Sequence, residues 1–204
     1  MKLYFSPGAC SLSPHIALRE AGLPFSLEEV DLKAKRTASG SDFKAVNPKG
    51  YVPVLELSDG QRLTEGAAIV QYIADQRPET KLAPASGTME RYRLQEWLNF
   101  VSTELHKAFS PFFNPQTPEE TKRMARERLT SRLDFLETAL RGGSFLLGET
   151  FTVADGYLYT ILRWARPVAD MDIARWSTVK AYFDRVHARP AVKAALEAER
   201  PGQT

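Results

Sequence analysis

Apolar and polar positions change rhythm along this chain, and the changes divide it into elements. Residues 2–6 carry Leu3, Tyr4 and Phe5 in succession and stop at Pro7-Gly8, which predicts a short strand. From about residue 11 to 21, Leu12, Ile16 and Ala17 recur at helical spacing, and Gly22 ends the run. Residues 25–32 place Phe25, Leu27, Val30 and Leu32 around Glu28 and Glu29, a second strand. The polar and basic stretch 33–41 reads as a loop. Val52-Pro53-Val54-Leu55-Glu56-Leu57 and Gln61-Arg62-Leu63 flank Ser58-Asp59-Gly60, two short runs around an Asp-Gly turn, and so predict a hairpin. Pro53 near its start suits an edge, a strand start or a cis bend. From 65 to 75 the spacing is helical again, through Ala68, Ile69, Tyr72 and Ile73. The order is β-α-β, then β-β-α.

Past Arg77-Pro78 and Pro84-Ala85-Ser86-Gly87, a linker composition, no strand pattern returns. Residues 89–109 read as one long helix with Leu94, Leu98, Val101 and Leu105 on one face. Pro111, Pro115 and Pro118 interrupt, and 119–141 forms another helix closed by Gly142-Gly143. Thr152 and Asp155 have the spacing of a capping box, with Asp in place of the usual Glu or Gln. The helix they open carries Tyr157, Leu158, Ile161 and Leu162, and final helices are expected at 173–188 and 190–199. The expected layout is a mixed α/β domain over 1–78, a linker over 79–87 and an all-helical domain over 88–204.

Composition narrows the function classes. The chain has 204 residues, 43% apolar and 25% charged, enough to build a core. Lys and Arg number 27 against 25 Asp and Glu, a net +2, so no basic excess suggests a nucleic-acid partner. No apolar run approaches the ~18 residues of a membrane span. Ser6, Pro7 and Gly8 arrive before a signal-peptide core could form, so a cytoplasmic protein is expected. The single cysteine, Cys10, excludes an intrachain disulfide and any multi-cysteine metal site, and no metal is expected.

Cys10 falls between a strand and a helix. A thiol there sees unpaired N–H donors and the positive end of the helix dipole. Reaching half thiolate at pH 7 from a reference near 8.5 takes about 2 kcal/mol. A helix end typically supplies about 0.3–1 kcal/mol, so a second donor is needed. Two registers fit: Cys10 at the cap, or Ser13 at the cap with Pro14 in the first turn. His106 is the candidate second donor, because Asn99, Thr103 and His106 fall at i, i+4 and i+7, a polar line beside an apolar face. The same line equally suits a solvated face. Thr64-Glu65-Gly66 opens a helix and allows either anion capture or ordinary capping. Lys33, Lys35 and Arg36 read as a solvated loop unless a carboxylate ligand is expected. His15 and His187 read as structural or exposed.

An ordered set of motifs then points to a family. Lys2-Leu-Tyr-Phe-Ser-Pro-Gly-Ala-Cys10-Ser-Leu-Ser-Pro-His15 closely resembles the start of bacterial beta-class glutathione S-transferases. The likeness continues through Asn47-Pro-Lys-Gly50, Val52-Pro-Val-Leu55, Leu63-Thr-Glu-Gly66, Ala68-Ile-Val-Gln-Tyr72, Glu96-Trp-Leu-Asn99, Glu104-Leu-His-Lys107 and Phe151-Thr-Val-Ala-Asp155. The resemblance implies a thioredoxin-like N-terminal domain (β-α-β-α-β-β-α) followed by an all-α domain, with one more helix inside 33–47. It also implies a homodimer that binds glutathione as co-substrate in a cleft between the domains. Val52 and Pro53 match the cis-proline turn facing the cysteinyl part of glutathione. Glu65 and Gly66 match the γ-glutamyl contacts, and Lys35 a glycyl-carboxylate contact. Asn99, Thr103, Glu104, His106 and Lys107 match cleft residues, Glu104 reaching across the dimer. Trp164 matches an aromatic near the site. Tyr51 and Thr103 depart from the amide and serine associated with those positions.

The resemblance implies an enzyme that joins the glutathione thiol to small electrophiles, with Cys10 and His106 placed to stabilise or exchange with that sulfur. Cys10 resembles a residue that forms a mixed disulfide with glutathione, so thiol–disulfide exchange is a second expected activity. Tyr51, Phe109, Phe113 and Trp164 are expected around the electrophile. A glutaredoxin-like or dehalogenating enzyme on the same fold is one alternative. A non-catalytic transferase-fold interaction protein, resembling the stringent starvation proteins, is the other.

Overall fold

Strand-forming residues at the start of the chain bury themselves between two helical layers. The computed structural model of the chain describes residues 1–200. They form two compact units: Met1–Leu82 with the segment from Arg189 on, and Ala83–Ala188. In the first, β1 (Lys2–Phe5), β2 (Ser26–Asp31), β3 (Arg36–Thr37), β4 (Val54–Glu56) and β5 (Arg62–Thr64) make one sheet in the order β3-β2-β1-β4-β5. β1 and β2 run parallel, joined through α1 (Leu12–Glu20), and the other neighbours are antiparallel. Tyr4 and Val54 pack with Val30, Val52 and Phe43, the first residue of α2 (Phe43–Val46). Side chains alternate across a strand, so Leu3 and Leu55, paired in register, point to the opposite face. α1 and α3 (Gly66–Asp75) pack against each other, and each also touches the sheet.

The stretch 33–41, read as loop, holds more order than its polarity suggests. Asp31 Oδ1 accepts from the N–H groups of Lys33 and Ala34, both at 2.8 Å, and turns the chain back so that Thr37 pairs with Val30. The helix implied by the resemblance is α2, only four residues long and capped by Asp42, whose Oδ1 accepts from Lys44 N at 2.9 Å.

In the second unit, α4 (Met89–Phe100) starts at Thr88, whose hydroxyl caps the Arg91 N–H. The single helix expected over 89–109 keeps its path but not its period. It becomes π-helical over Val101–His106 and 3-10 over Lys107–Phe109 before α5 (Ser110–Phe113). A widened turn re-aims each following side chain, which periodicity of the α type cannot foresee. α6 (Glu119–Ala139), α7 (Val153–Leu162), α8 (Ala165–Ala169) and α9 (Ser177–His187) complete this unit.

The capping box at α7 is present as expected. Asp155 Oδ2 accepts from the Thr152 N–H at 2.8 Å and its hydroxyl at 2.9 Å, while Oδ1 accepts from Leu146 N–H at 2.8 Å and Tyr182 O–H at 3.1 Å. Burial pushes the Asp155 carboxyl upward, against these donors.

α10 (Pro190–Ala198) returns to the first unit, where it packs on α1. The helical stretch expected as one body over 88–204 is thus shared between the two units, because α1 offers an apolar face that α10 covers with Val192 and Ala195.

Candidate active site

The turn after β1 positions Cys10. Ser11 closes it, accepting from Ser6 N–H at 3.1 Å and lying 3.3 Å from Ser6 O as donor. Gly8, at φ +72, supplies a left-handed residue. The helix begins at Leu12 with Ser11 as its cap, a register different from both sequence alternatives. Cys10 stands one residue before the cap, and Ser13 and Pro14 lie inside the first turn. The half-buried Cys10 thiol donates to the Val52 carbonyl oxygen at 3.5 Å. The Val52-Pro53 bond is cis.

Behind this turn is an anchor that chain order hides. His15 and Glu199 are buried, and His15 Nδ1 lies 2.9 Å from Glu199 Oε1. The Arg19 Nε–H can only donate, so the His15 Nε2 it meets at 2.9 Å accepts, and the ring hydrogen sits on Nδ1. Glu199 Oε2 accepts from the Gly8 N–H at 3.4 Å. His15 is therefore structural. His187 likewise pairs through Nδ1 with the Tyr159 hydroxyl at 2.7 Å.

A second loop, residues 47–53, is pinned from within. Buried Asn47 donates through Nδ2 to the Tyr51 carbonyl at 2.7 Å and accepts from Lys49 N–H at 3.2 Å. Lys35 Nζ donates to Gly50 O at 2.8 Å. Tyr51 O–H and Lys49 Nζ both donate to Glu65 Oε1, at 2.8 and 2.5 Å. Glu65 holds φ +68 immediately before α3, and the first intrahelical donors onto its carbonyl are Ala68 and Ile69. The N–H groups of Gly66 and Ala67 precede them, as at any helix start. A Cβ on Gly66 would meet Pro53 Cγ at 4.0 Å, so Gly66 faces the cis-proline turn. Cys10, Val52, Pro53 and Gly66 therefore form one end of the unit, while Lys35 and Glu65 bond to the 47–53 loop, Lys35 at Gly50 and Glu65 at Lys49 and Tyr51.

The helical unit separates its expected residues onto two faces. His106 Nδ1 lies 2.7 Å from the Tyr157 hydroxyl, and its ring meets Trp164 edge-on at 5.0 Å. Phe109 and Phe113 contact the same indole at 5.7 and 5.2 Å. Burial, with a smaller push from Lys107, lowers the His106 imidazole to about 4, so it is neutral at pH 7. Asn99 and Thr103 are exposed, and the Thr103 hydroxyl donates back to Asn99 O at 2.9 Å. Lys107 is exposed. Glu104 turns to α6, where Arg132 Nη2 at 2.6 Å and Arg128 Nη2 at 3.1 Å hold its carboxyl below the usual range.

Lys49, Tyr157 and Glu199, which bond Glu65, His106 and the Gly8 N–H, are contacts that sequence reasoning did not single out. Asn47, with Pro48 and Gly50 beside it, was the one readable sign of a built loop. Among the described residues no group of acidic, histidine and cysteine side chains could hold a metal ion, and no helix is long and apolar enough to cross a membrane.

These two units match known families. The glutathione S-transferase N-terminal domain matches residues 8–76, and the glutathione S-transferase C-terminal domain matches residues 100–190. The chain is similar to glutathione S-transferase GstA of Escherichia coli O157:H7, 48% identical with 98% of each chain covered. It is similar to a solved sphingomonad glutathione S-transferase complexed with glutathione, 49% identical, covering 98% of each chain at a TM-score of 0.94. A bacterial beta-class glutathione S-transferase of Sphingomonas chungbukensis is 46% identical, with 100% of each chain covered and a TM-score of 0.94. The chain belongs to the glutathione S-transferase family. Within it, the full-length likeness to the bacterial beta-class structure places it in the beta class.

Proposed function

We propose that the protein transfers the thiol of glutathione to small electrophiles. The glutathione S–H gives its proton to solvent, the sulfur bonds the electrophilic carbon, and the leaving group departs with the electron pair of the bond that breaks. The observation that carries this reading is the Cys10 thiol held against the Val52 carbonyl beside the cis Pro53, with Glu65 fixed on the adjoining loop. In this reading the thiol, Val52 and Pro53 receive the cysteinyl part of glutathione. Glu65 and Gly66 receive its γ-glutamyl end, and Lys35 receives its glycyl carboxylate.

His106 contributes as a neutral imidazole. In this reading Tyr157 donates to Nδ1, 2.7 Å away, so that the ring hydrogen sits on Nε2 and serves as a donor for a thiolate. Asn99, Thr103 and Lys107 are the further glutathione contacts of this proposal, Glu104 contributes across the dimer, and Phe109, Phe113 and Trp164 line the place of the electrophile. Two copies assemble into a homodimer. Retention on immobilised glutathione, with conjugation of an aromatic halide followed spectroscopically, tests the reading. A protein that neither binds the column nor forms the conjugate overturns it.

Thiol–disulfide exchange is a second activity, favoured by the partial exposure of Cys10. The Cys10 thiolate attacks glutathione disulfide, forming the protein–glutathione disulfide and releasing one glutathione thiolate.

A further inference from the structure

One corner of the first unit is more elaborate than folding requires. Lys49 Nζ and Tyr51 O–H converge on one oxygen, Glu65 Oε1, and Lys49 Nζ also donates to Thr64 Oγ1 at 3.0 Å. The ammonium lies 5.8 Å from the Tyr51 ring centroid. All three side chains are exposed, Lys49 by 47% and Glu65 by 56%, so their attraction adds little to stability. Yet Glu65 keeps a backbone angle of +68, which L side chains rarely adopt. Strain retained at an exposed residue points to use rather than to folding. The two donors are themselves set in place by buried Asn47, which bonds the Tyr51 carbonyl and the Lys49 N–H.

Such a carboxylate is already oriented. A glutamate otherwise surrenders side-chain freedom when it meets a cation, and that cost comes out of affinity. Tyr51 is the more telling donor, because a neutral hydroxyl fixes the carboxylate without cancelling its charge. Lys49 fixes it while partly offsetting that charge.

We propose that Tyr51 and Lys49 are positioning residues that hold the Glu65 carboxylate ready for the ammonium of the γ-glutamyl end, and so set the preference for peptides in which that ammonium is free. This rests on the reading of Glu65 as the receiver of that group. The test compares KM and kcat for glutathione and for N-acetylglutathione in the unaltered protein, Tyr51→Phe and Lys49→Met. Tyr51→Phe raises KM for glutathione about fivefold, the loss of one exposed hydrogen bond. It leaves kcat and the KM for N-acetylglutathione in place, so the ratio of the two KM values shrinks. Lys49→Met shrinks it in the same sense by about twofold, as a surface ion pair does. Variants that raise both KM values alike, or neither, overturn the proposal while Glu65 keeps its role. An unaltered protein that treats the two peptides equally overturns the role of Glu65 and the proposal together.

Discussion

His15 on α1 and Glu199 just beyond α10 share a buried hydrogen bond of 2.9 Å, although 184 residues separate them in the chain. Glu199 spends its other oxygen on the Gly8 N–H, two residues before the thiol. One carboxylate thus ties the end of the last helix to the first helix and to the Cys10 turn.

Glu199→Ala leaves the His15 Nδ1–H and the Gly8 N–H to be satisfied elsewhere. The expected loss is about 1–3 kcal/mol of unfolding free energy, from stranding the buried His15. Glu199→Gln retains an acceptor oxygen and loses less. Urea unfolding followed by tryptophan fluorescence measures both, and an unchanged midpoint for Glu199→Ala refutes the anchor.

The His106 imidazole titrates near 4 in the folded chain against about 6.5 when unfolded. Between those values the unfolded chain binds the extra proton. Stability is therefore fully present above about pH 6.5 and falls as pH drops toward 4, by roughly 2–3 kcal/mol at pH 4.5. His106→Gln removes this component, so its stability falls less between pH 7 and pH 4.5 than that of the unaltered protein. Equal falls in both show that His106 does not carry the dependence. Conjugation rates should likewise show no His106 titration step from pH 5.5 to 8.

Cys10→Ala separates the two activities. Conjugation is expected to survive in part, while exchange with glutathione disulfide disappears. Intact mass measured with and without reductant locates the adduct: a glutathione-sized loss on reduction in the unaltered protein, and none in the variant. An adduct persisting in Cys10→Ala contradicts the assignment, since Cys10 is the chain's one cysteine.

Local rules carried the fold a long way. Alternation and helical spacing located β1, β2, the hairpin and most helices, and Thr152 and Asp155 announced their box because both partners lie within four residues. What escaped depends on geometry that no local window contains. The short α2 has too few residues for a period. The π-helical turn after Phe100 changes the period midway. In the candidate site, Cys10 stood out as the one thiol and Glu65 took its role from the resemblance, but Lys49 reaches Glu65 across 16 residues and Glu199 reaches His15 across 184. An ordinary lysine and a late glutamate carry no mark of such partners.

The return of α10 to the first unit also bears on synthesis. A ribosome completes β1 to α3 early and the helical unit next, yet the layer over α1 is still missing when residue 188 emerges. The thiol turn therefore waits, without its Glu199 tether, until residue 199 has been added. Translation order and folding order part company here: of the two units, the one begun earlier closes later.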